Sequence, residues 1–179
     1  RIAAKDAVRH VLGQNGAAPL FPVEVGVTND EQGRPLVQVP GGLDVRVSIA
    51  HTAGLGVALA AVGVDVGIDI EPVEPRTASF EATAFSEAER ELLGSGVGGA
   101  EALTGSDRDR ELTRWWAAKE AAAKAAGTGM QGRPRDWEIS EIRGAELRIG
   151  DRWIATEVHA HTEPANPAST KEHIVAWTL

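Results

Sequence analysis

Apolar and polar residues alternate with a period of two along Val64-Asp65-Val66-Gly67-Ile68-Asp69-Ile70-Glu71. Side chains alternate across a pleated backbone, so Val64, Val66, Ile68 and Ile70 are predicted on one face of a strand and Asp65, Asp69 and Glu71 on the other. One face should be buried and the opposite one acidic. Similar alternation, punctuated by glycine and proline, predicts strands at residues 23–27, 36–39, 45–49 and 56–60, and again at 137–139, 146–149, 153–158 and 173–177. Between these sets the period lengthens. Trp116, Glu120 and Lys124 recur every fourth residue, which places a ring, a carboxylate and an ammonium on one helical face. Phe85 to Leu93 reads as a shorter helix in which Ser86 caps and Glu89 completes a capping box, accounting for Ser86 without a catalytic role.

The helix Ala3-Ala4-Lys5-Asp6-Ala7-Val8-Arg9 echoes Ala117-Ala118-Lys119-Glu120-Ala121-Ala122-Ala123, and each copy is followed by a turn and then strands. The tetrapeptide alone is common helical filler. The repeated order of elements predicts an internal duplication on a period far longer than a solenoid repeat. The expected class is α+β, one unit over residues 1–179 with a first half at 1–60 and a second at 61–179, the second led by a strand from Ala61 to Glu71 that the first half lacks. Residues 94–106 are glycine-rich and are expected to be a mobile loop beside the site; they lack the Gly-Lys-Ser/Thr ending of a phosphate loop. Residues 162–170 are expected to form a surface connection between the last two strands.

With 42% apolar residues over 179 positions, the chain can build a core. A net charge of −8 argues against a nucleic-acid partner, and no apolar run is long enough to predict a membrane span or a signal peptide. A cytoplasmic location is the expectation. The absence of cysteine excludes disulfides, thiol catalysis and the usual zinc sites, and leaves oxygen-ligated magnesium open. Arg108, Arg110 and Arg114 are expected to precede the tryptophan helix, and Arg133 and Arg135 to follow it, which predicts a local basic rim for an acidic partner. The first residue is Arg rather than Met, pointing to a trimmed piece or a domain excised from a longer synthase, such as a polyketide synthase.

Asp69, Glu71 and Glu120 supply three carboxylates from two elements, a set that suits a hard divalent cation. Spacing alone leaves two commoner uses open: a solvated acidic sheet face, and a surface Glu120–Lys124 pair. The order of motifs adds to the spacing. Gly67-Ile68-Asp69-Ile70-Glu71, then Phe85-Ser86 with Glu89, then Trp116-Ala117-Ala118-Lys119-Glu120 with Lys124, resembles the signature of the 4'-phosphopantetheinyl transferases. Upstream, Gly33-Arg34-Pro35 is similar to that family's Gly-Lys/Arg-Pro element and Ser48-Ile49-Ala50-His51-Thr52 to its Ile-Ser-His-Ser element. Ala50 departs from the pattern, standing where many larger members have a serine that can contact the cofactor.

The resemblance implies the larger, pseudo-dimeric type: two similar helix-and-antiparallel-sheet halves in a pseudo-twofold arrangement, with the active site in the cleft between them. It implies transfer of 4'-phosphopantetheine from coenzyme A to a serine of an apo acyl or peptidyl carrier protein, with release of 3',5'-ADP. Magnesium would be held by Asp69, Glu71 and Glu120. Arg34, His51, Lys119 and Lys124 are the expected contacts to the phosphates of coenzyme A, and Glu120 and Lys124 the catalytic pair. The proton acceptor is expected to be Glu120, directly or through a water, with Glu89 as second candidate. Part of the family's basic coenzyme A contacts falls before the first residue of this chain. Two rival readings share the motifs: a non-catalytic coenzyme A or carrier-binding module, and a metal-dependent hydrolase of the coenzyme A pyrophosphate. Trp115 and Trp116 point about 100 degrees apart, so one is expected in the core and the other over the Glu120 face.

Overall fold

The computed structural model describes residues 1–52, 54–95, 103–162 and 170–179, and among these it is an α+β structure with four helices and antiparallel sheets. Helix α1 (Ile2–Gln14) turns Ala4, Val8 and Leu12 inward, the four-residue spacing of a single buried stripe, onto Val25, Val45 and Val47. Strands β1 (Gly26–Asn29) and β2 (Pro35–Gln38) form one hairpin, and β3 (Val45–Thr52) and β4 (Leu55–Val62) a longer one. After β5 (Gly67–Pro72) come α2 (Ala78–Ala84), α3 (Glu87–Ser95) and the 21-residue α4 (Gly105–Ala125). Strands β6 (Ile139–Arg143), β7 (Glu146–Ile149), β8 (Arg152–Thr162) and β9 (Thr170–Thr178) complete a five-stranded sheet ordered β5-β9-β8-β7-β6.

Several expectations are corrected. Val23 and Glu24 lie in a 3-10 turn, Pro22–Glu24, because the Glu24 carboxylate accepts the Phe21 N–H at 2.7 Å and closes the chain before β1 begins. Ala61 belongs to β4, and the strand predicted from Ala61 to Glu71 starts only at Gly67, a positive-φ turn at Gly63 (φ 68°) intervening. Helix α2 was not read from the sequence, although Thr77 caps it by accepting the Phe80 N–H at 3.1 Å. The arginines expected before the tryptophan helix lie within it, since α4 starts at Gly105. The capping box at α3 forms: the Glu89 N–H donates to Ser86 Oγ at 3.2 Å, and the Ser86 N–H to Glu89 Oε2 at 2.8 Å. The reading of residues 94–106 as a mobile loop falls largely on residues 96–102, outside the described residues, as do 163–169 of the last connection.

The acidic face of β5 is not solvated. Helix α4 covers it, and Gly67 is where they come closest: a Cβ there would stand 1.9 Å from the Ala121 carbonyl oxygen and 2.8 Å from the Ala125 nitrogen. Ala117, Ala118, Ala121, Ala122 and Ala125 form the small-residue face that permits this approach, while Trp115 and Phe85 fill the core beyond it. On the other side of β5, Ile68 and Ile70 pack with Ala50 and Val175, joining the β3–β4 hairpin to the larger sheet. Ser48 Oγ accepts the Ile68 N–H at 3.1 Å across that junction.

The contact at Gly67 yields a stability prediction. Gly67→Ala should cost about 1–3 kcal/mol or more, because the obstruction is helix backbone and the helix must shift as a body. Scanning calorimetry should then show Tm lowered by about 2–4 °C for each kcal/mol lost, and an unchanged Tm would mean that α4 is not seated on this glycine.

Candidate active site

Two adjoining grooves open where the hairpins meet β5 and α4. One, of about 560 Å³, is lined by His51, Asp69, Glu71, Glu120 and Lys124 together with Gly33 and Pro35. The other, of about 760 Å³, is lined by Arg34, Arg46, Asp65 and the turn Gly127 to Gly129, and shares Gly33, Pro35, Ile49 and Lys124 with the first. Strand alternation sends Asp69 and Glu71 to the α4 side of β5, and the helical period brings Glu120 and Lys124 to meet them. Thus the structure brings together five of the predicted residues in one groove and Arg34 in the next.

Asp69 is 5% exposed. Lys124 Nζ donates to its Oδ1 at 2.7 Å and to the Ile68 carbonyl at 3.3 Å. Asp69 Oδ2 is buried and lacks a hydrogen-bond partner, which is costly for a carboxylate unless something positive completes it. Glu71 accepts from Arg76 Nη2 at 3.0 Å and, on its other oxygen, from Trp116 Nε1 at 3.2 Å. Burial raises the proton affinity of Asp69, Glu71 and Glu120 above the ordinary carboxylate range. Repulsion from Asp69 adds to this for both glutamates and repulsion from Glu71 for Glu120, whereas Lys124 opposes it at Asp69 and Glu120, and Arg76 at Glu71. Three buried or half-buried carboxylates lining one groove, two of them raised further by acidic neighbours and one with an orphaned oxygen, fit a divalent cation by donor chemistry. Among the described residues, no group of three carboxylates or histidines converges at coordinating geometry.

His51 lies inside β3 rather than after it, opposite Gly56, and is exposed at the groove. Ala50 beside it is 6% exposed and packs on Ile68 and Ile70, so the place of the family's serine is occupied here by core. Arg34 stands 3.8 Å from Asp65, with its guanidinium against Gly127, where a Cβ would fall 2.4 Å from Cζ; φ there is 74°. The positive φ favours glycine, and a side chain there would displace the Arg34 guanidinium.

Lys119 does not reach either groove. It is fully buried on the opposite face of α4, donating to Glu89 Oε2 at 2.7 Å, the Ala84 carbonyl at 3.0 Å and the Pro134 carbonyl at 3.3 Å. One residue of sequence separation rotates it about 100 degrees from Glu120. Burial lowers its proton affinity and Glu89 opposes that. Glu89, 2% exposed, also accepts the Ile139 N–H at 2.9 Å, so both its oxygens are committed inside the fold. Three arginines of the predicted basic rim are paired within the fold, while Arg133 meets only Asp136 at 3.4 Å on the surface. Arg110 pairs with Glu172 and Asp107, Arg108 with Glu81, and Arg114, 13% exposed, donates to the Gly144 carbonyl.

The sequence pattern of the 4'-phosphopantetheinyl transferase superfamily matches residues 65–178. The chain belongs to that superfamily. The matched span holds Asp69, Glu71, Glu120 and Lys124, while Arg34 and His51 lie upstream of it on the other wall of the grooves. No curated protein matches the chain. Membership makes this a phosphopantetheine-transferring domain of the class that uses coenzyme A and carrier proteins. No helix among the described residues is long and apolar enough to cross a membrane.

Sequence reasoning missed Arg76 and Phe80. Arg76 also meets Glu74 at 3.3 Å and stacks 5.1 Å above the Phe80 ring, which in turn meets Trp116 edge-on at 5.0 Å. The cap signal Thr77 could have located the short helix α2, which carries Phe80 and directly follows Arg76 and its cap. Trp115 is the core tryptophan, its Nε1 bonded to Glu111 at 2.6 Å, and Trp116 is the one that serves the site.

Two predictions follow from these environments. Lys119→Met should destabilise the fold by about 3–5 kcal/mol, since it strands a buried carboxylate; urea denaturation measures this, and Lys124→Met should cost clearly less. Glu120→Gln should raise the Tm of the metal-free chain at neutral pH. An acid whose folded proton affinity is raised contributes stability that is fully present below the unfolded carboxylate value near 4 and is lost as pH rises through the raised folded value. Neutralising Glu120 removes that loss, a gain of about 0.5–2 kcal/mol that should vanish in melts at pH 4.

Proposed function

We propose that this domain transfers 4'-phosphopantetheine from coenzyme A to a serine of an apo acyl or peptidyl carrier protein, releasing 3',5'-ADP. The observation that carries this reading is the groove in which Asp69, Glu71, Glu120, Lys124 and His51 meet, with the buried, unpartnered Asp69 Oδ2 among them. In the reaction the serine Oγ bonds to the pantetheine-side phosphorus, the bridging P–O bond of the pyrophosphate breaks, and its electron pair leaves with 3',5'-ADP. Such transfer is catalysed mainly by positioning and charge neutralisation.

Asp69, Glu71 and Glu120 are the residues assigned to hold magnesium, which supplies charge neutralisation at the pyrophosphate oxygens. Lys124 offers a point charge beside the same carboxylates, and His51 and Arg34 are assigned to the phosphates from the opposite wall. Glu120 is assigned as acceptor of the serine proton, directly or through a water, from its place in the groove beside Asp69 and Glu71. Lys119 and Glu89 are left out of the reaction. The two helix-on-strand units, α1 over β3–β4 and α4 over β5–β9, support reading the chain as two related halves with the reaction between them. A magnesium-dependent enzyme acting on a carrier of fatty acid, polyketide or peptide assembly is the corresponding biological role.

The deciding experiment is intact mass spectrometry of apo carrier proteins incubated with the chain, coenzyme A and magnesium, with and without EDTA. A chelator-sensitive gain of one phosphopantetheine is expected, and its loss in Glu120→Gln with the fold intact. Release of 3',5'-ADP without any carrier would instead identify a hydrolase, and coenzyme A binding with no product a binding module.

A further inference from the structure

Glu71 faces two ways. It lines the groove with Asp69 and Glu120, and behind the groove it is gripped by residues that do not line it. Arg76 takes Oε2 at 3.0 Å and Trp116 takes Oε1 at 3.2 Å. Arg76 is not committed to Glu71 alone: its Nη1 stands 3.3 Å from Glu74 Oε1, on a carboxylate 55% exposed, and its face rests on Phe80. Its Nε is buried without a partner, so the head is held only through Nη1, Nη2 and the ring. A guanidinium between two carboxylates can keep one partner while giving up the other. Lys124 stands in the same relation to Asp69 but lies in the groove itself, whereas Arg76 acts from outside it.

We propose that Arg76 is an internal competitor for the divalent cation: it contests Glu71 from behind, and Glu74 receives its guanidinium when the cation takes Glu71. This rests on the metal reading given above. A divalent ion among Asp69, Glu71 and Glu120 repels Arg76 and claims the same carboxylate, so each weakens the other's hold. Arg76 thereby sets the cation concentration at which the site fills, and Glu74, outside the groove, tunes it in the opposite sense.

The test is Mn²⁺ binding to the full chain without coenzyme A, read from the electron paramagnetic resonance of free Mn²⁺, with circular dichroism to confirm folding. Arg76→Met should tighten binding about three- to fivefold, the scale of a partly exposed ion pair. Glu74→Gln should weaken it, because Arg76 then rests on Glu71 alone. The double variant should match Arg76→Met, since Glu74 acts only through Arg76. A merely structural role for Arg76 would weaken binding in both single variants, and that result, or no change in either, overturns the proposal. If Arg76→Met does not fold, Arg76→Gln takes its place, with the same tightening expected and weakening or no change overturning the proposal. Asp69→Asn separates the two readings: if it too leaves Mn²⁺ binding at the wild-type level, the metal assignment fails and carries this proposal with it, whereas a defect there beside an unmoved Glu74→Gln sinks the competition only.

Discussion

Everything at the site depends on how closely α4 can lie on β5. The separation is set at Gly67, where any side chain would enter the Ala121 carbonyl, and along the alanines of α4 that face it. That contact puts Lys124 within 2.7 Å of Asp69 and brings Glu120 close enough to feel both Asp69 and Glu71. Were the helix lifted by the width of a methyl group, the carboxylates would be better hydrated, and the forces that raise their proton affinity would fall away. Close packing of small residues is here a device for crowding charge.

The crowding has a cost that the rest of the fold carries. Two of the three carboxylates are in direct ion pairs, Asp69 with Lys124 and Glu71 with Arg76, while Glu120 feels Lys124 only through its field, against repulsion from Asp69 and Glu71. Elsewhere in α4 the same helix secures itself through the fully buried Lys119–Glu89 pair, fixed by carbonyls and backbone N–H groups from three further segments. The two faces of one helix thus use lysine differently: Lys119 closes a structural network, and Lys124 borders a groove.

Period-two alternation located most strands, and the Ser86–Glu89 capping box was legible residue by residue, because these signals are local and each residue's role depends on near neighbours. The convergence of Asp69, Glu71, Glu120 and Lys124 could be anticipated because strand and helix periods fix which side chains share a face. What alternation cannot report is which face a neighbouring helix will cover, so spacing alone left a solvated acidic face on β5 open. Lys119 was misplaced for a related reason: adjacency in a motif says nothing about the 100 degrees of rotation that carries it into the core. The arginines of α4 looked like a free rim because their partners, Glu81, Glu172 and Gly144, are remote in sequence.

The junction between β3 and β5 has a mechanical meaning. The hydrogen-bonded ladder does not run across it; the strand bearing His51 and the strand bearing Asp69 belong to separate sheets, tied by the Ser48 hydroxyl and a thin layer of Ala50, Ile68, Ile70 and Val175. A backbone ladder would fix the width of the groove by hydrogen-bond geometry, whereas here its two walls meet through side chains, with Leu55, Val57 and Leu59 of β4 packed on the same cluster. The width of the groove is therefore written in the sizes of those side chains and not in the spacing of paired strands.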